Sequence, residues 1–197
     1  MTSKKRVVLI TGAESGIGKS TSKIFLDNGY KVICTYLKNN NNKNTKDIEY
    51  HRIDITKNKD WENLALYIKK KFKKIDVLVN SAGVRLSGNL ETTSMSDWSY
   101  HLNNNVTGTF LACKYILPFL KKAKNSSIMN VASINSIRGA KNMLAYATSK
   151  SAVISFTASL ALDLTKNKIR VNAVAPGAIE TPMLASFKKD LSLKEYQ

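Results

Sequence analysis

Cysteine is scarce in this 197-residue sequence: Cys34 and Cys113 are the only two, and both sit inside apolar stretches. So few cannot staple a small disulfide scaffold, and their spacing suits no zinc site, so a reduced, cytoplasmic setting is expected. Long apolar runs are missing too. Residues 7–10 near the start are far too few for a signal-peptide core or a membrane span, and no later run reaches that length without polar breaks. The expectation is a soluble protein with no membrane partner.

Acidic charge is also short. Only 14 acidic residues stand against 31 basic ones, a formal net charge of +17, so a nucleic-acid partner has to be weighed. Arginine, however, is rare. Five of the basic residues are Arg (Arg6, Arg52, Arg85, Arg138, Arg170), the lysines are spread along the whole chain, and asparagine is abundant, with a run at 39–42. Readers of bases and phosphates favour the planar fork of Arg and cluster it on one element. Scattered Lys with excess Asn reads as compositional bias on solvated faces, and no nucleic-acid partner is expected. The Lys clusters at 69–74 and 121–124 fall where helices should end, where cations suit the macrodipole.

What remains is enough to build a core. With 43% hydrophobic and 23% charged residues, wholesale disorder is excluded. Strand-like and helix-like segments alternate. Residues 6–11 (RVVLIT), 31–36 (KVICTY), 48–53, 75–79 (IDVLV), 127–131 and 169–174 read as strands. Residues 17–28, 58–72, 96–123 and 144–165 read as helices, the first with Ile17, Thr21, Ile24 and Phe25 on one face and Gly29 as a natural stop. Residues 38–46 read as a polar loop. Repeated βα units of this length imply a parallel sheet with helices on both faces. No linker, repeat or composition shift interrupts residues 1–197, so the expectation is one doubly wound, Rossmann-type α/β domain in three layers.

Two motifs carry chemistry. Residues 11–18, Thr-Gly-Ala-Glu-Ser-Gly-Ile-Gly, lie between the first strand and the first helix, and hold three of the nine glycines. Glycines there let the backbone turn tightly and approach a pyrophosphate at a helix N-terminus. Tyr146 and Lys150 stand four apart on a predicted helix, so phenol and ammonium share one face. A nearby cation favours a phenolate, and a phenol so tuned can give a proton to a carbonyl oxygen or take one from an alcohol. Alone, this pair is a weak signal.

Taken together, these residues resemble the short-chain dehydrogenase/reductase family in its single-domain form, over residues 5 to about 187. Thr11, Gly12, Ser15, Gly16, Ile17 and Gly18 match its cofactor loop. Asp54 and Ile55 follow the third strand, as does the family's adenine-contacting acid. Asn80-Ser81-Ala82-Gly83 resembles its Asn-Asn-Ala-Gly stretch, with Ser81 replacing the second Asn. Asn105 corresponds to its catalytic Asn. Ser133 stands thirteen positions before Tyr146, the family's interval. Pro176, Gly177, Ile179 and Thr181 match the loop that reaches the nicotinamide amide.

The resemblance implies an NAD(P)(H)-dependent oxidoreductase that moves hydride between nicotinamide and a small ketone or secondary alcohol. In it Tyr146 is the acid/base, Lys150 holds the ribose and tunes Tyr146, Ser133 bonds the substrate oxygen, and Asn105 holds a relay water. A 3-oxoacyl-carrier-protein reductase and a glucose-dehydrogenase-like sugar or alcohol dehydrogenase are its specific versions. No metal is expected; His51, in a strand, and His101, in a helix, read as surface or core polar residues. An acid closing the second strand would favour NAD(H). Tyr36, Leu37 and Lys38 stand there instead, so NADP(H) is favoured, although Glu14-Ser15 lacks the Arg of many NADP-preferring relatives. Residues 184–197 read as the start of a shortened substrate lid, without the family's last helix and strand. The alternative is therefore an impaired remnant that binds nucleotide or partners. A homodimer through the two long helices is expected, with Phe110, Tyr115 and Phe119 exposed on one and Ile154, Ala158 and Ala161 on the other.

Overall fold

A computed structural model describes residues 5–38 and 43–185; the Asn run at 39–42 and residues 186–197, with nearly all of the expected lid, lie outside the described residues. Six strands form one parallel sheet in the order β3-β2-β1-β4-β5-β6. They are β1 (Val7–Thr11), β2 (Lys31–Tyr36), β3 (Ile48–Arg52), β4 (Val77–Asn80), β5 (Ser127–Val131) and β6 (Arg170–Val174). β1 is buried along its whole length, as a central parallel strand covered on both faces must be.

Helices cover both faces. On one side α2 (Asn58–Lys71), α4 (Gly108–Leu120) and α5 (Leu144–Asp163) pack Trp61, Ile68, Leu111, Ile116 and Phe156 against Leu9, Ile33, Leu78 and Ile128. On the other, α1 (Gly16–Asp27) brings Phe25 and Leu26 onto Val8, Ile10, Val32 and Val79. The result is a Rossmann-like three-layer arrangement. The order reverses between β1 and β4, and ligands of open α/β sheets bind at the carboxyl ends of the strands flanking that switch point.

Several elements differ from the sequence expectation. The fourth strand starts at Val77, two residues late, because buried Asp76 turns its carboxylate back to accept the Val7 N–H at 2.8 Å. The inward stripe of α1 is buried Gly18 and Ser22 with half-buried Phe25, which leaves Ile24 61% exposed. Gly18 sets that rotation: a Cβ there would lie 2.2 Å from the Gly12 carbonyl oxygen, so this residue must face the turn. The single helix expected over 96–123 is three pieces: α3 (Met95–His101), a π-helical turn (Leu102–Thr107) and α4. Phe119 is buried in the core rather than exposed, whereas Phe110 remains 46% exposed.

Candidate active site

The site begins where β1 ends. Thr11 Oγ1 accepts the N–H groups of Ser81 and Ala82, both at 3.0 Å, and ties the exit of β4 to that of β1. Gly12 sits at φ +65°, and a Cβ on it would come within 2.7 Å of Ala82 Cα. Only glycine fits there. Helix α1 starts at Gly16 with Ser15 as N-cap, yet the Ser15 hydroxyl makes no capping bond and the first turn holds no acid. The first N–H groups and the positive end of the dipole are therefore left without a counter-charge of their own, which suits an anion.

A cavity of about 580 Å³ extends from this turn across the carboxyl edge of the sheet. On the β2–β3 side it is lined by Gly12, Ser15, Gly16, Ile17, Tyr36 and Ile55. Ala82 and Gly83, after β4, lie midway, and Ser133, Tyr146 and Lys150 stand at the β5 side. Pro176, Gly177, Ile179 and Thr181, after β6, close it. The sheet thus brings these segments, spread over some 170 positions of sequence, to one space.

The other predicted residues stand outside the described lining of the cavity. Thr11 and Gly18 build the turn as described. Asp54 Oδ1 accepts from the Thr56 N–H (2.9 Å) and hydroxyl (2.7 Å), which shapes the entry to α2. Asn80 Nδ2 donates to Asn130 Oδ1 at 2.8 Å, and Asn130 Nδ2 to Thr157 Oγ1 at 2.8 Å, a buried chain crossing from β4 through β5 to α5. Lys38 is exposed. Beside it, Arg52 Nε donates to the Leu37 carbonyl at 3.1 Å, which puts a second cation at the end of β2. The Tyr36–Arg52 register that brings Arg52 there is a pairing fact no local pattern reports.

Tyr146 and Lys150 lie on the first two turns of α5, both buried. Lys150 Nζ donates to the Val131 carbonyl at 2.7 Å, and a Cβ on Gly83 would lie 3.3 Å from it. Among the described residues no carboxylate is within ion-pairing distance of Lys150. Burial pulls its pKa down to about 8. Ser133 is also buried and caps a short 3₁₀ turn at Ile134–Ser136, its Oγ accepting the Asn135 N–H at 3.2 Å.

Asn105 explains the π-helical turn. Its amide points inward: Oδ1 accepts from Val84 N (2.8 Å), and Nδ2 donates to the Val84 carbonyl (3.0 Å) and to Ser149 Oγ (2.9 Å). Both amide hydrogens are engaged within the protein, and the helix widens by one residue per turn to let the side chain reach them. One turn earlier His101 does a parallel job, which its place in the sequence did not reveal. It is fully buried, its Nε2 accepts the Leu86 N–H at 2.9 Å, and its Nδ1 bonds the Asp97 carbonyl at 2.7 Å. Since Nε2 must accept, the ring proton is assigned to Nδ1. The ring stands edge-on to Tyr146, centroids 6.4 Å apart.

Comparison with known proteins agrees with this geometry. The family model described as short chain dehydrogenase matches residues 6–192. The 3-oxoacyl-[acyl-carrier-protein] reductase of Thermotoga maritima is 37% identical over 90% of this chain and 76% of its own length. Dehydrogenase/reductase SDR family member 6 of Aquarana catesbeiana is 36% identical over 91% of this chain and 73% of its own. Among solved structures, ligand-free aldohexose dehydrogenase of Thermoplasma acidophilum superposes with TM-score 0.88 at 34% identity, covering 94% of this chain and 71% of that one. A variant of ElxO with NADPH bound superposes with TM-score 0.87 at 33% identity, covering 95% and 79%.

Proposed function

The chain belongs to the short-chain dehydrogenase family and is an oxidoreductase, and on that premise we propose that it moves hydride between a nicotinamide dinucleotide and a ketone or secondary alcohol. The observation that carries this reading is the convergence of Ser133, Tyr146 and Lys150 with the glycine turn on one cavity. The residues fit the cofactor. The uncapped start of α1 offers N–H donors to a pyrophosphate, Gly12 and Gly16 keep side chains out of its way, and Lys150 is a buried cation without a carboxylate partner among the described residues.

When bound, the dinucleotide supplies or accepts the hydride at its nicotinamide ring. The chain's own groups do the rest. Ser133 Oγ donates a hydrogen bond to the substrate oxygen. The Tyr146 hydroxyl gives its proton to that oxygen as negative charge builds there, and takes it back in the reverse direction. The Lys150 ammonium offsets the charge left on the phenol oxygen and bonds the ribose. Asn105 holds the segment at Val84 and the start of α5 in register, and keeps one lone pair of Oδ1 for a relay water.

The cofactor is NADP(H) in preference to NAD(H). β2 ends in Tyr36 and Leu37 with Lys38 and Arg52 beside them; the opposing carboxylate is Glu14, whose Oε1 accepts the Leu37 N–H at 3.5 Å. Fluorescence titration with both reduced cofactors, followed by a screen of ketones and alcohols, tests the reading. NADPH should bind more tightly than NADH, and Lys38→Ala and Arg52→Ala should narrow the gap. An equal or reversed preference would show that Glu14 prevails. Binding without turnover across the screen would leave a non-catalytic nucleotide binder.

A further inference from the structure

His101 and Asn105 stand four apart, at the end of α3 and within the π-helical turn, and both are buried against the chain that leaves β4. A helical turn rises about 5.4 Å, within the roughly 7 Å that two residues of chain can span. Neighbouring turns can therefore serve alternate positions of that chain. The Asn105 amide holds both backbone groups of Val84, and His101 Nε2 accepts the Leu86 N–H at 2.9 Å. Val84 lines the cavity, so this stretch is part of its wall. Two residues on, Gly88 is tied to the entry of α5. Its N–H donates to the Asn142 carbonyl at 2.8 Å, and its carbonyl accepts the Leu144 N–H at 3.0 Å. Tyr146 follows on the first turn of that helix.

His101 makes a second contact, with Tyr146 itself. The two rings meet edge-on, centroids 6.4 Å apart and planes inclined at 70°. Among the described residues the Tyr146 hydroxyl has no hydrogen-bond partner, so packing aims the phenol. The His101 ring has one orientation: it is 1% exposed, Nδ1 donates to the Asp97 carbonyl at 2.7 Å, and Nε2 accepts. From this geometry we propose that His101 is a positioning residue for the reaction. Its ring edge aims the Tyr146 phenol, and its Nε2 fixes the wall segment against which the substrate lies. The proposal rests on the oxidoreductase reading above and names the group that sets proton donor and substrate wall relative to each other. His101 stands outside the described lining of the cavity and exchanges no proton with the substrate. Its two tasks use different parts of the ring, so they are separable. A phenyl ring keeps the edge and loses the acceptor; a side-chain amide keeps the acceptor and loses the edge.

The test measures NADPH-dependent reduction in the wild type, His101→Phe, His101→Gln and His101→Leu. The probes are the ketones reduced in the screen above, cyclohexanone and ethyl 3-oxobutanoate among those tried. His101→Phe should keep kcat near the wild-type value and raise KM, His101→Gln should keep KM and lower kcat, and His101→Leu should do both. The loss in kcat should be roughly 10- to 100-fold, the scale that a misplacement near 1 Å carries. NADPH affinity should be unchanged in all three. A merely structural residue would make kcat and KM worsen together, in the order of the melting temperatures. That result, or wild-type constants in every variant, overturns the proposal while the oxidoreductase reading stands. If no ketone of the screen is reduced, it is that reading which fails, and NMR without turnover still decides the positioning. In the wild type the Leu86 amide should exchange slowly with solvent and the Tyr146 ring should flip slowly. His101→Gln should keep the first and lose the second, and His101→Phe the reverse. A freely exchanging Leu86 amide in the wild type, or signals indifferent to the substitution, overturns the proposal.

Discussion

Lys150 Nζ donates to the carbonyl oxygen of Val131 at 2.7 Å, so this buried cation hangs from the last residue of β5. It has no counter-ion among the described residues, and burial lowers its pKa from 10.5 to about 8. The protein without cofactor carries that strain as instability. Lys150→Met should raise its stability by about 1–2 kcal/mol at pH 7, the relief of desolvation less the lost bond to Val131. The pH dependence follows from the sign. A folded-state pKa below the unfolded one means the unfolded chain binds more protons between pH 8 and 10.5, so wild-type stability rises with pH across that window. The advantage of Lys150→Met, measured by urea unfolding, should therefore shrink between pH 7.5 and 9.5. A constant difference would mean that the ammonium is not desolvated.

Gly16 tests the anion end of the cavity. It opens α1 at φ +51°, and a Cβ there would lie 3.1 Å from Thr181 Cγ2. Gly16→Val adds a branched side chain in that unfavourable backbone region and pushes it between the helix start and the closing loop. Cofactor affinity should fall at least 100-fold, while far-ultraviolet circular dichroism stays native. Retained affinity would place the pyrophosphate elsewhere.

Assembly is the third expectation. Phe110 on α4 is 46% exposed, lies edge-on to Phe156 of α5 at 6.4 Å, and has the Lys114 ammonium over its ring at 5.8 Å. Leu160, half-buried, stands one turn beyond Phe156 on the same helix. Such an apolar strip across two neighbouring helices suits an isologous, twofold contact. Sedimentation should find a dimer at micromolar concentration, and Phe110→Glu should weaken it roughly 100-fold or more. A monomeric wild type would remove the interface.

The strands were legible because parallel strands covered on both faces are nearly continuous apolar runs, as at 6–11 and 31–36. The glycine turn and the Tyr146–Lys150 spacing were legible because each is local. What escaped is tertiary. The helical pattern runs unbroken through 96–123; the π-helical turn exists because Asn105 reaches Val84, 21 residues earlier. The rotation of α1 is set by Gly18 meeting Gly12, not by its apolar residues. His101 looked like an ordinary helical polar residue until Leu86 was brought to it.

Tyr146 is the sharpest test of the chemistry. Hydride delivery to a ketone leaves an alkoxide, which is costly in a water-poor site unless a proton arrives with it. Of the groups lining the reacting end, Ser133 can donate a hydrogen bond but is a poor acid. Lys150 lines the cavity as well, but its Nζ is tied to the Val131 carbonyl and its charge is needed beside the phenol. The Tyr146 phenol remains, one helical turn from Lys150 and held by the buried edge of His101. Tyr146→Phe removes only the hydroxyl and keeps that packing, so cofactor affinity should change less than about threefold. Turnover should fall by the ~10²–10⁴ that positioned acid catalysis contributes. Lys150→Ala should behave differently and weaken both, because the ammonium serves ribose and phenol alike. Ser133→Ala should fall between the two in rate and leave affinity alone. Single-turnover oxidation of bound NADPH separates binding from chemistry, and a Tyr146→Phe protein that kept most of the wild-type rate would require a different proton donor.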